Sequence, residues 1–240
     1  MSLLSSSRQR RSLLPFAVTF ALVAWCMPGY CAGISIGDGA SFHVGNAQID
    51  VNCLDLVTRG QFALGGGSVI GANLVSIEST GQLNGDTGSL RFSGDWWNAG
   101  AFSPAQSSIN VQDGCGASES LLLGDNDFFD FSAFTSTGKT LSVEAGSIQT
   151  FANELSLQGF DAAQRLKIRS SVDGQSAFFD LAAQGVQQIH AVDVKDNDAS
   201  AGQLLAPGAP AVFASVDSGN NENWFSLLSD LLFTDGFETD

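Results

Sequence analysis

Basic residues are scarce in this chain of 240 residues: 10 Lys and Arg stand against 25 Asp and Glu. Three of the ten, Arg8, Arg10 and Arg11, lie in the first dozen residues, so the remainder carries 7 minus 25, or −18. A surface so acidic repels nucleic acid and anionic lipid, which removes both from the expected partners. Histidine occurs only twice, as His43 and His190, which leaves little for hydrolase triads. Tyrosine occurs once and methionine twice, all within the first thirty residues. No apolar run reaches the roughly 20 residues of a membrane-spanning helix, and helical periodicity is almost absent.

What stands at the N-terminus is a basic start, an apolar run from Leu13 to Met27, and Pro28-Gly29-Tyr30-Cys31-Ala32 before a glycine-rich stretch. That order predicts a secretory signal peptide over residues 1–32, cleaved near Ala32. About 208 residues then remain, enough for one domain and a tail. All but Phe16 and Phe20 of the 18 phenylalanines stay with it, which supplies a long core and argues against disorder.

A repeat organises the rest. Gly60, Gly81 and Gly100 each head the same pattern. Phe62, Leu83 or Phe102 follows after two residues, Ser68, Ser89 or Ser108 after eight, and Val69, Leu90 or Ile109 after nine. Upstream, Ala40 heads a weaker copy with Phe42 and Ile49. Downstream, Glu119 heads a degenerate copy with Leu121 and Phe128, and Lys139 a better one with Leu141, Gly146, Ser147 and Ile148. A period near twenty, built from short alternating segments with glycine at the corners, predicts an all-β fold, a right-handed parallel β-helix of about 20-residue rungs. One unit cannot bury its apolar face alone, and stacking neighbours completes the core. A β-sandwich, with turns every 8 to 12 residues, is the alternative. The expected organisation is leader 1–32, solenoid 33–205, and closing segment with tail 206–240.

SGDWWNAGAF, with Gly94, Trp96, Asn98, Gly100 and Phe102, resembles the G-x-W-x-N-x-G-x-F rung of bacterial exported β-helix proteins of the adhesin-like, haemagglutinin-repeat sort. VDVKDNDASAGQ and SVDSGNNENW are similar to closing segments of such proteins, and FTDGFE near the end resembles a short C-terminal tail of exported gram-negative proteins. The resemblance implies a scaffold and an export route, to the cell surface, the medium or the periplasm. Ligands vary across these families, so a glycan or surface protein is the partner class it implies.

Chemical candidates compete with plainer explanations. AFTSTGKT (133–140) fits a loose phosphate loop, but Leu141 and Val143 alternate as in a strand where the loop needs a helix. GISIG (33–37) spells a nucleophile elbow around Ser35 without the flanking strand and helix. Asp125, Asp127 and Asp130 in DNDFFDF are the carboxylates a polysaccharide-degrading β-helix enzyme would use, yet no histidine or basic motif adjoins them. Arg165, Lys167 and Arg169 either contact an anionic glycan or form the wet face of an alternating strand. Asp193, Asp196 and Asp198 in DVKDND are candidate Ca²⁺ ligands, against the reading that they decorate a turn, because the spacing lacks the glycine and glutamate of an EF-hand. No other cofactor is expected.

Cys53 and Cys115 survive leader removal, and export favours a disulfide. The repeat places them at similar corners three rungs apart, roughly 14 Å at the strand spacing, so a bond requires DGCG to loop out along the stack. Packing of Cys53 beside Ile49 and Val51 is the competing outcome. The functional expectation is an exported, non-enzymatic binding or structural module, with a polysaccharide-degrading enzyme as the alternative.

Overall fold

A computed structural model describes residues 33–225. The expected leader and the FTDGFE tail lie outside them. The described chain is a right-handed parallel β-helix of about eight turns, each about 22 residues long. Every strand pairing is parallel, which excludes the sandwich. Two nine-stranded sheets run the length of the coil, and a four-stranded sheet closes its first four turns.

The lower turns have three strands each. The second turn, for example, uses Leu56–Thr58 in the first sheet, Gln61–Ala63 in the four-stranded second sheet and Ser68–Ala72 in the third. The sequence repeat lies in register here. Phe42, Phe62, Leu83 and Phe102 stack in one column, and Ile49, Val69, Leu90 and Ile109 in another. Strand alternation turns these side chains inward, and Phe62, Leu83, Val69, Leu90 and Ile109 are fully buried. Each such residue is worth roughly 1.5–3 kcal/mol of hydrophobic stabilisation. The glycines that head the repeat are corners of close approach. A Cβ on Gly60, Gly81 or Gly100 would lie 2.2 Å from a carbonyl oxygen of the turn below.

Above the fourth turn the register departs from the repeat. The second sheet ends at Ala101–Ser103, and the next turn sends one ten-residue strand, Asn126–Thr135, through the position of two short ones. Ile109 is therefore followed in its column by Phe131 and Leu155, while Phe128 packs on Phe102 with ring centroids 5.8 Å apart. Leu121 and Leu141 belong to the first sheet, not to the Leu83 column, and Ile148 points outward. The copies headed by Glu119 and Lys139 are thus out of phase with the lower turns. The added residues of the 112–118 corner displaced them.

An aromatic spine crosses this change. Trp96 packs on Phe128, Phe128 on Phe151, Phe151 on Phe179 and Phe179 on Trp224, with centroids 5.3 to 6.3 Å apart. Parallel pairing also continues past residue 205. Val216–Asp217 pairs with the first sheet, and Glu222 and Trp224 bridge to Asp198 and Leu205. Residues 216–225 thus pair onto the upper end of the coil.

Candidate functional site

Corners and outer faces hold the polar chemistry, because alternation fills the interior with apolar groups. At the corner between the third and first sheets, Cys53 and Cys115 are disulfide-bonded, with Cα atoms 5.3 Å apart. The 14 Å separation expected from the rung count is overcome because both corners swing along the coil axis. Residues 112–118 form a long corner, whereas residues 73–74 suffice two turns below. Asn52, Cys53 and Cys115 take left-handed backbone angles, with φ of 48°, 62° and 51°, that turn the two corners toward each other. Cys53 is exposed instead of packed with Ile49 and Val51.

Lys139, the lysine of the phosphate-loop lookalike, holds the foot of this corner. It is 1 % exposed and donates from Nζ to the carbonyl oxygens of Ser93 and Ala117. It precedes the strand Thr140–Val143, so no helix follows to build a phosphate cradle. Desolvation lowers the Lys139 pKa, while Asp113, Asp95 and Glu119 act the other way through their charge. Asp113 secures the other end of the corner by accepting from the Thr135 hydroxyl (2.7 Å) and the Ser136 backbone N–H (2.7 Å). Burial pushes the Asp113 carboxyl up, but these donors outweigh it and hold the pKa below its ordinary 3.8.

The other sequence candidates are separated by the fold. Ser35 is exposed on the strand Ile34–Ile36 of the first turn, His43 lies in the second sheet and His190 in the third. Asp125 accepts the backbone N–H of Ile148, Asp127 is exposed, and Asp130 accepts from Ser108 and Asn153. These bonds tie neighbouring turns. Arg169 pairs with Asp193 at 2.8 Å, Arg165 donates to the Ala214 carbonyl, and Lys167 is exposed. The basic strand is thus mainly occupied with its own neighbours.

Asp193, Asp196 and Asp198 do not converge. Asp193 accepts from Arg169 and Ser218, Asp196 from Asn220 and the Gly174 N–H, and Asp198 from the Ser200 N–H. Among the described residues no group of three His, Cys, Asp or Glu side chains has the spacing of a metal site. Alternation along the strand and the turn after it sends each carboxylate of DVKDND to a different donor.

The side chain that sequence reasoning passed over is Trp97. Its neighbour Trp96 is fully buried, while Trp97 is 46 % exposed on the outer face of the first sheet. The signal was present in the WW pair itself, because adjacent residues of a strand face opposite ways. Ser76 lies directly below Trp97 and Leu123 directly above. Around this column, Glu78 accepts from the Ser76 hydroxyl (3.1 Å), Asp95 from the Leu121 N–H (2.9 Å) and Glu144 from the Gly124 N–H (2.8 Å).

No helix among the described residues is long and apolar enough to cross a membrane. No family model, curated protein or solved structure matches the chain, so its place among parallel β-helices rests on the strand register described above.

Proposed function

We propose that the protein is an exported, non-enzymatic β-helix of a gram-negative cell surface or secreted fraction, an adhesin-like module that binds a glycan or surface protein through its outer sheet faces. The observation that carries this reading is how the carboxylates are used. Asp125, Asp130, Asp193 and Asp196 each accept hydrogen bonds from the same or an adjacent turn, which builds a wall instead of an acid and base pair around a cleft. The Cys53–Cys115 disulfide fits an oxidising compartment and supports export. FTDGFE serves as a sorting tail in this reading, and the leader over residues 1–32 supplies the route.

Intact-mass measurement of the native protein from each cell fraction tests the proposal. The expected species begins near Gly33, is found outside the inner membrane, carries the disulfide, and shows whether the tail is removed. A species retaining Met1 in the inner membrane would overturn it. Release of products from an acidic polysaccharide, abolished by Asp125→Asn or Asp127→Asn, would establish the enzymatic alternative instead.

A further inference from the structure

We propose that the outer face of the first sheet around Trp97 is a docking site for a lysine- or arginine-bearing segment of a protein partner. This rests on the binding role proposed above and names the partner's chemistry.

Three observations converge there. A large aromatic ring is left in solvent on a regular sheet whose opposite face is a packed core, and Val57 and Leu123 in the same outward column are only half-buried. Next, Glu78, Asp95 and Glu144 are fixed around the column, each by a hydrogen bond to one carboxylate oxygen: Oε1 of Glu78, Oδ1 of Asp95 and Oε2 of Glu144. The second oxygen of each has no hydrogen-bond partner among the described residues, so three acceptors are already oriented for an incoming donor. Finally, the exposed basic side chains on this face stand away from the ring, and Lys139, whose charge reaches Asp95, is buried and donates to the Ser93 and Ala117 carbonyls. Arg59 lies at a corner two turns below, and Lys167, Arg169 and Lys195 lie three or more turns above, where Arg169 and Lys195 pair with aspartates.

An indole face flanked by carboxylates attracts an ammonium or guanidinium group through the ring quadrupole and through direct charge. A neutral sugar would gain the ring contact but bring no positive charge to Glu78 and Glu144. Charge complementarity therefore selects the cationic segment. The parallel strands of this face suit an extended peptide, whose alternate residues face the same way.

Isothermal titration calorimetry of the mature protein and its variants provides the test, with tryptophan quenching in the native protein as a second readout. Among the described residues, Trp96 and Trp224 are buried, so quenching from the surface reports Trp97. The probe is a blocked peptide of alternating Lys and Gly, with a Ser-Gly peptide of equal length as control. The expected result is saturable binding of the Lys-Gly peptide alone, weakened about fivefold or more in Trp97→Ala. Glu78→Gln and Asp95→Asn should also weaken it, whereas Asp161→Asn on a distant turn should not. Circular dichroism and the thermal midpoint of Trp97→Ala should match the native protein, since the ring is outside the core.

Equal affinity in native protein and Trp97→Ala would overturn the proposal, reducing the effect to diffuse attraction by an acidic surface. Failure of the native protein to bind the peptide would overturn it too, and saturable binding of a neutral oligosaccharide at Trp97 alongside that failure would mark the face as a sugar platform. Either failure leaves the broader binding role standing if the exported protein still binds cells or glycans without turnover.

Discussion

Trp96 donates its indole N–H to Asn126 Oδ1 at 2.7 Å, across 30 residues of sequence and inside the core. The same oxygen accepts from Asn98 (3.0 Å), and the Asn126 amide donates to Gln149 Oε1 and the Gly124 carbonyl, both at 2.9 Å. Gln149 in turn donates to Gly124 and to Ser147. This buried network fills the space where the second sheet ends, and its worth comes from being nearly fully paired. Asn126→Ala would leave the indole N–H and the Gln149 carbonyl oxygen without their partners. We expect a loss of about 3 kcal/mol, read from urea unfolding with an unchanged m-value.

The corner glycines make a contrasting pair of substitutions. A Cβ at Gly81 would sit 2.2 Å from the Thr58 carbonyl oxygen, whereas one at Gly37 meets nothing within 4 Å. Gly81→Ala should cost about 3 kcal/mol because backbone must shift. Gly37→Ala should change the denaturation midpoint little.

Reduction of the disulfide should act on the lower coil. The bond joins the corner after the first turn to the corner after the fourth, closing 62 residues of sequence. The chain-entropy relation gives about 4 kcal/mol for a loop of this size. Lys139 and Asp113 hold the 112–118 corner independently, so it should persist when the bond is broken. Hydrogen exchange in Cys53→Ser should therefore accelerate over the turns that the bond encloses, residues 54–111, and remain slow in the later turns. Equal acceleration throughout would contradict this assignment.

Acid should loosen the upper coil. Burial raises the carboxyl pKa of Asp193 and Asp196, but the donors from Arg169 and Ser218, and from Asn220 and Gly174, outweigh it, so both lie below the ordinary 3.8. A depressed folded pKa means the unfolded chain binds protons first as pH falls. The stabilisation is complete above about 3.8 and is lost as pH drops through the lower folded value. In Asp193→Asn the thermal midpoint should start lower at neutral pH and fall less steeply in this window.

Lys139 should give the opposite signature in alkali. Its folded pKa is depressed by burial, so between that value and 10.5 the folded state holds fewer protons than the unfolded. Stability therefore rises with pH through this window. Compared with Lys139→Met, the native protein should gain in urea midpoint as pH approaches 10.5.

Turns two to four were legible because each used the same three devices, a close-approach glycine, a first apolar anchor and a second anchor seven residues later, and turn one kept both anchors behind Ala40. Gly81, Leu83 and Leu90 occupy the expected positions. Legibility failed at Glu119 and Lys139, where the chain changes from three strands per turn to two. Phe128 and Leu141 are buried, as inward anchors should be, yet apolarity alone does not say which sheet an anchor joins. Asn126 and Gln149, which fill the vacated corner, look like surface residues in sequence. The disulfide was legible in part: Gly114 and Gly116 mark the DGCG corner as a loop, whereas the left-handed turn at Asn52 and Cys53 occurs without a glycine beside it. Trp97 was visible only in hindsight of which Trp lay inside, since period-two alternation fixes opposite faces without naming them.

The bond from Cys53 to Cys115 also sets a route for mechanical force. A pull applied at Gly33 would strain the first turn and then pass through sulfur to the corner above the fourth, bypassing the second, third and fourth. Tension on a tethered molecule would therefore peel residues 34–50 at most before meeting a covalent stop. Extension beyond that point requires the upper turns, with their aromatic spine, to give way.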